Sequence, residues 1–372
     1  MRYLDDDRIV MTLDAGGTNF VFSAVQSEKE IVKPIILPAH GDALEIVLNT
    51  IINGFEEIQK QLTQKPTAIS FCFPGPAEYE LGIISDLENL PVFRGGVALG
   101  PMLEEKFGIP VFINNDGDLF AYGEAIAGLL PFINSKLEEA GSPKRYNNLF
   151  GATFGTGFGG GIVSRGQLFA GDNSAQAEIN RMRNHWHHNA SVEESVSIRG
   201  VKRAYALEAG INIIKSPNPK EIFEIGMGIR KGDKNAAIKA FTELATVGGD
   251  SLANAITLVD GLIVLGGGLA GAAPLFLQTM TDAMNYHFQT MTGAPLNRLE
   301  VKVFNLENKD ELAEFIKGDV REIKIPFSDK KITYDPMKRV GIGVTKLGTS
   351  NAVSVGAYAF ALNKLDSDTN KR

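Results

Sequence analysis

The chain has 372 residues, long for a single core and comfortable for two domains. Its composition, 44% hydrophobic and 22% charged, is that of a globular protein, and a net charge of -7 argues against a nucleic-acid-binding surface, which needs a basic excess. The single cysteine, Cys72, rules out an intrachain disulfide framework, no stretch reaches the roughly 18 apolar residues of a spanning helix, and the acidic start from Met1 to Asp7 lacks an apolar signal core, so the expected compartment is the cytoplasm with no membrane partner.

In chain order, Arg8 to Leu13 is an apolar run ending in Asp14-Ala15-Gly16-Gly17-Thr18-Asn19, and Phe20 to Val25 is a second. Two strands around a Gly-rich turn make a hairpin. A third strand is expected at Ile31 to Leu37. Ala43 to Gln61 has helical spacing, with Leu44, Val47, Ile51, Phe55 and Ile58 on one face. Thr67 to Phe73, around a buried Cys72, reads as a strand running into Pro74-Gly75-Pro76. Met102 to Phe107 reads as a helix, Val111 to Ile113 as a strand ending at Asn114-Asn115-Asp116, and Leu119 to Leu129 as a helix.

After a polar stretch from Asn134 to Asn148 the pattern restarts. Leu149 to Phe154 is a strand, Gly155 to Gly161 the turn, and Ile162-Val163 opens the next strand. The two strand–turn–strand units stand about 140 residues apart. Helices follow over Asn235 to Thr257, then a strand from Asp260 to Leu265 closed by Gly266-Gly267-Gly268, and another at Val301 to Phe304. Glu322 to Phe327 and Lys331 to Tyr334 alternate as a hairpin would, and Ala352 to Leu362 is a closing helix with Ala and Gly on one side. The pattern predicts an α/β protein of two similar halves: residues 1–116 with the closing helix 352–372, and residues 117–351 with an insertion at 306–346. A cleft between halves would be the default ligand site.

Five constellations carry chemistry, each with a plainer alternative. Glycines in Asp14 to Asn19 permit an anion nest, with Asp14 placed to hold Mg²⁺ through water; the alternative is a simple hairpin turn. Gly155, Gly157 and Gly160 match a dinucleotide fingerprint formally, but a strand rather than a helix follows, so a second phosphate hairpin is expected; the alternative is a purely structural Gly turn. Asp116 at a strand end is either a proton acceptor or the N-cap of the next helix. Gly267 and Gly268 either pass under a nucleoside or make a flexible turn. Glu178 and Glu193 are either acceptors for sugar hydroxyls or solvated acids. His185-Trp186-His187-His188 reads as a polar loop rather than a zinc site.

Taken in order, these motifs resemble the ROK family of sugar kinases (repressors, ORFs, kinases), from about Ile9 to Leu362. D-x-G-G-T matches Asp14 to Thr18, P-G-P matches Pro74 to Pro76 and N-L-P matches Asn89 to Pro91. N-D matches Asn115-Asp116, G-T-G-x-G-G-G matches Gly155 to Gly161, and V-L-G-G-G matches Val264 to Gly268. The resemblance implies an actin-like ATPase (ribonuclease H-like) fold of two α/β domains around an active-site cleft. It implies ATP and Mg²⁺, with Asp116 as general base. It also implies sugar contacts from Gly75, Asn89, Asn115, Glu178 and Glu193, and phosphate or nucleoside contacts from Asp14, Gly16, Gly17, Thr18, Asn19, Gly155, Thr156, Gly157, Gly267 and Gly268. A small-molecule sugar is the implied partner and a homodimer the implied assembly.

Two departures stand out. Where the family reads E-x-G-H, this chain reads Glu178-Ile179-Asn180-Arg181, so Arg181 takes the place of a sugar-contacting His. The family's Cys-rich zinc knuckle is absent and the loop is several residues short, so no structural zinc is expected and Glu193 competes with Glu194 for the sugar. Only 13 residues precede Asp14, too few for the DNA-binding domain of the family's repressors. The expected reaction is phosphorylation of a hexose at its primary hydroxyl, glucose first. Fructose or N-acetylhexosamines as acceptors, and a catalytically weak sugar sensor, are the alternatives.

Overall fold

The computed structural model describes residues 3–15, 19–39, 41–87 and 90–369. The chain divides into two compact units, one of Met1–Gly128, Gly166–Gln176 and Leu347–Arg372, the other of Leu129–Arg165 and Ala177–Lys346. Residues 117–128, 166–176 and 347–351, expected in the second domain, fall in the first unit.

In the first unit, Val10–Ala15 pairs antiparallel with Asn19–Gln26 and parallel with Ala68–Cys72, which in turn pairs parallel with Val111–Asn114. The expected strand over Ile31 to Leu37 is instead two short pieces, Lys29–Glu30 and Ile35–Pro38, with Pro34 between them. Proline has no N–H to give to a ladder there. Alternation sorts the side chains onto two faces. Met11, Leu13, Phe20, Phe22, Ile69 and Phe71 pack with Val47, Ile51, Phe55 and Ile58 of the Leu44–Gln61 helix. Each fully buried side chain of this size contributes roughly 1.5–3 kcal/mol. Cys72 packs instead with Leu119 of the Asp116–Ile126 helix and Ala357 of the Thr349–Thr369 helix. Those two helices touch backbone to backbone: a Cβ on Gly123 would stand 1.9 Å from the Ala352 carbonyl oxygen, and one on Gly356 1.9 Å from that of Leu119. Only glycine fits at either crossing point.

The second unit repeats the scheme. Asn148–Phe154 pairs antiparallel with Phe158–Ser164 and parallel with Leu262–Gly266, then Arg339–Val344 and Lys302–Asn305 follow in parallel. One apolar core gathers this sheet with the helices Ile198–Glu208, Pro219–Gly226, Lys234–Val259 and Ala273–Met284. A hairpin followed by parallel strands, used twice, is the actin-like ATPase fold.

Three further expectations change. Gly159, Gly160 and Gly161 are strand residues paired with Thr153, Ala152 and Gly151, so the second turn is only Gly155 to Gly157. The helix expected to reach Leu129 ends at Ile126, and a new one spans Leu129–Glu139, burying Leu129, Leu130, Ile133 and Leu137 at helical spacing. The supposed insertion 306–346 contains the Lys309–Lys317 helix and the strand Arg339–Val344, which sits between two others of the sheet. Within that stretch the hairpin Arg321–Lys324 with Lys331–Tyr334 forms a separate two-stranded sheet, as His287–Gln289 with Pro295–Asn297 does before it. No helix among the described residues is long and apolar enough to cross a membrane.

Candidate active site

In the first unit the strand register gathers the chemistry. Asp14 lies beside Cys72, and Cys72 beside Asn114, across three parallel strands. The chain therefore leaves all three at one sheet edge, the carboxyl edge where ligands of open α/β sheets bind. Asn115 follows directly and is the N-cap of the Asp116–Ile126 helix. The Gly117 N–H donates to Asn115 Oδ1 at 2.8 Å and to Asp116 Oδ1 at 2.9 Å. Asn115, not Asp116, is thus the cap.

Asp116 remains open to solvent. Even so, burial by the surrounding protein raises its carboxyl above the usual range, and the Gly117 N–H offsets only part of this. Asp14 is raised by burial and then by the charge of Asp116. Burial, then the same two charges, pushes the Cys72 thiol well up. Two neighbouring carboxylates that repel each other suit a hydrated divalent cation, so the residues present fit Mg²⁺ beside Asp14.

Tyr79 braces the neighbouring loop. Its hydroxyl donates to the Phe73 carbonyl at 3.0 Å and is hydrogen-bonded to the Asn115 side chain, and its N–H donates to Ser174 Oγ at 3.2 Å. Gly75 lies against that hydroxyl, 3.1 Å from where its Cβ would be. Gln176 Nε2 donates to Asp118 Oδ2 at 2.5 Å, tying the segment 166–176 to the helix of Asp116. Asn19 is exposed at the first position of its strand. Gly16, Gly17, Thr18 and Asn89 lie outside the described residues.

The second unit brings its own set together. The Gly155 N–H donates to the Gly157 carbonyl at 2.9 Å, closing the turn and leaving Thr156 exposed at its tip. Thr153 pairs with Gly266, so Gly267 and Gly268 emerge next to that turn. Gly267 has φ 82°, and a Cβ there would meet the Phe154 carbonyl oxygen at 2.3 Å. Among the described residues, none beyond the chain neighbours stands within 4 Å of a Cβ position at Gly155 or Gly268, which leaves room for a ligand. Glu193 rests on the turn: its Oε2 accepts from the Phe158 N–H at 3.1 Å and its Oε1 from Arg199 at 3.2 Å. Glu194 takes Arg199 at 2.7 Å and is half-buried. Of the two acids, Glu193 is the one on the turn. Glu178 precedes the short turn Ile179–Arg181, and both Glu178 and Arg181 are exposed.

His187 Nε2 lies 3.2 Å from Glu243 Oε1, and His185 Nδ1 3.9 Å from Asp250 Oδ2. Sequence reasoning missed Tyr79, Gln176, Arg199 and Glu243. Gln176 and Glu243 act through partners 40 or more positions away, and Tyr79 and Arg199 through loop partners five or six positions away, a spacing that follows no helical or strand period.

Comparison with known proteins fits this geometry. The family model described as the ROK family matches residues 10–310. The solved structure of a glucokinase from Parabacteroides distasonis is 53% identical, with a TM-score of 0.90 over 98% of this chain and 99% of that one. A ROK family glucokinase from Streptomyces griseus, solved with glucose and AMPPNP, shares the fold at 17% identity, with a TM-score of 0.58 over 94% and 98% of the two chains. The N-acetyl-D-glucosamine kinase of Vibrio cholerae is 26% identical over 302 residues, 76% of this chain and 91% of that protein.

Proposed function

The chain belongs to the ROK family, and we propose that this ATP-dependent sugar kinase phosphorylates glucose at its primary hydroxyl with Asp116 as the general base. The observation that carries the reading is the pairing of Asp14 and Asp116 at one sheet edge, with both carboxyls raised. A carboxylate whose affinity for a proton is raised by its surroundings is a better proton acceptor than an ordinary surface carboxylate.

In this mechanism Asp116 takes the hydroxyl proton while the sugar oxygen forms a bond to the γ-phosphorus of ATP, and the bond to the bridging oxygen breaks to release ADP. Thr156 and Gly157, at the second unit's turn, offer backbone N–H groups to phosphate oxygens, and Gly16, Gly17, Thr18 and Asn19 are the proposed phosphate contacts of the first. Gly267 and Gly268 border the nucleoside. Mg²⁺, held by Asp14 through water, would neutralise charge on the transferring phosphate. Gly75, Asn89, Asn115, Glu178, Arg181 and Glu193 bind the sugar, the acids and amides accepting from its hydroxyls and Arg181 donating to a ring or carbonyl oxygen.

Glucose is favoured because the 53%-identical neighbour is a glucokinase. N-acetylglucosamine is the second candidate, because the Vibrio cholerae relative phosphorylates it by name. A coupled ADP-release screen over glucose, fructose, mannose, N-acetylglucosamine and N-acetylmannosamine separates the two. The highest kcat/KM on glucose is expected. A preference for an N-acetylated sugar would replace glucose as the substrate, and ADP release without any sugar would overturn the kinase reading.

A further inference from the structure

The loop that stands where the family carries its zinc knuckle is closed by backbone hydrogen bonds. The Asn184 N–H donates to the Ala190 carbonyl at 3.0 Å, the Val192 N–H to that of Met182 at 2.9 Å, and Arg183 bridges Ser191. Asn184 is fully buried at its centre. Its Oδ1 accepts the N–H groups of Trp186 at 2.9 Å and His187 at 3.0 Å. Its Nδ2 donates to Ser195 Oγ at 2.8 Å. Ser195 Oγ then donates to Glu243 Oε1 at 2.6 Å. Glu243 is buried on the Lys234–Val259 helix, where Arg203 of the Ile198–Glu208 helix also donates to it.

The two ends of this loop carry Glu178 to Arg181 and Glu193. Ser195 sits two residues past Glu193, Ser197 Oγ donates to the Glu193 carbonyl at 2.7 Å, and the Ile198 N–H donates to the Gly155 carbonyl at 2.8 Å. The polar cluster is therefore continuous with the Gly155–Gly157 turn through Glu193. A buried carboxylate holds such an arrangement only while its partners stay in place, which makes the cluster a rigid anchor rather than a loose surface network.

We propose that Asn184, Ser195, Arg203 and Glu243 are positioning residues that fix Glu193 against the Gly155–Gly157 turn and so set sugar affinity; the sugar part of this rests on the kinase reading above. Two readouts keep the proposals apart. The first is kinetic. Ser195→Ala and Glu243→Gln should raise the sugar KM by about 10-fold or more, with kcat falling less, since misplacing a binding group by about 1 Å costs on that order. In a Glu193→Gln background, Ser195→Ala should add little further, because both changes act on one contact.

The second readout needs no sugar. Amide exchange of the folded wild-type and Ser195→Ala proteins should show faster exchange both in the loop 182–195 and at the Phe158 N–H that Glu193 accepts. Emission of Trp186, the single tryptophan of the chain, should shift with it. Faster exchange confined to the loop, with Phe158 unchanged, would refute the positioning role, as would sugar KM values within about twofold of wild type alongside a lowered melting temperature. A wild type that phosphorylates no sugar would sink the kinase reading and leave the exchange result to decide this one.

Discussion

Replacing Asp116 by Asn isolates the proton-accepting role. The amide keeps the size of the carboxylate, and its oxygen can still accept the Gly117 N–H that Asp116 Oδ1 now takes at 2.9 Å. The helix cap is untouched, because Asn115 supplies it. What is lost is a base. General-base catalysis is worth about 10²- to 10⁴-fold, so kcat should fall by that factor, roughly 3–5 kcal/mol of barrier, with ATP affinity within a few-fold of wild type.

Stability should move the other way. Burial raises the Asp116 carboxyl in the folded state, so between its unfolded and folded values the native protein holds the extra proton. Stability then falls as pH rises through that window, and the penalty persists at neutral pH. Asp116→Asn removes it, together with repulsion toward Asp14. The variant should melt above wild type at pH 7.5, and the difference should vanish in acid below both values. Coupled ADP-release kinetics and thermal melts at matched pH measure the two effects. Near-normal turnover would refute the base assignment. A melting temperature below wild type at pH 7.5 would show that the strain inferred at this carboxylate is absent.

Two further changes probe the scaffold of the second unit. Asp335→Ala should cost about 3–5 kcal/mol by urea denaturation, because the side chains of Asp335 and Arg339 are both out of water and Arg339 Nη1 donates to Asp335 Oδ2 at 2.7 Å. Burial alone would raise Asp335, but hydrogen bonds from Arg339 and from the N–H groups of Asp319 and Met337 hold it below the usual range. Its stabilisation is therefore complete above the unfolded carboxyl value of about 3.9 and lost as pH falls through the lower folded one, so the gap between wild type and Asp335→Ala should close in strong acid. Gly267→Ala forces a left-handed φ of 82° on a residue whose Cβ would meet the Phe154 carbonyl oxygen. It should cost at least about 1–2 kcal/mol and raise the ATP KM; an unchanged unfolding midpoint would show that this backbone can relax.

The residues legible in the sequence are those whose signal is local. Asp14 and Asp116 each follow an apolar run, and a strand end is marked by its own neighbours. Their meeting is not local: it needs Ala68–Cys72 paired in parallel between them, in a register that no spacing encodes. The choice between cap and base was likewise open in sequence, since Asn115 and Asp116 both offer an acceptor; the angle at which the chain enters the helix gives the cap to Asn115. The same limit hid Arg339–Val344, a short Gly-containing strand that only its two parallel neighbours reveal as part of the sheet. It hid Glu243 most completely. Within a long helix an acid reads as a solvated face, and its burial follows from Arg203, Ser195 and His187, all on other elements. Acids at strand ends, proposed as catalytic, are thus readable from the chain itself, whereas groups that hold the Glu193 loop in place become visible only when the partners that neutralise them are found. A search for sugar-determining residues in this chain should therefore begin at the buried partners of Glu193 and its loop rather than at exposed Arg181.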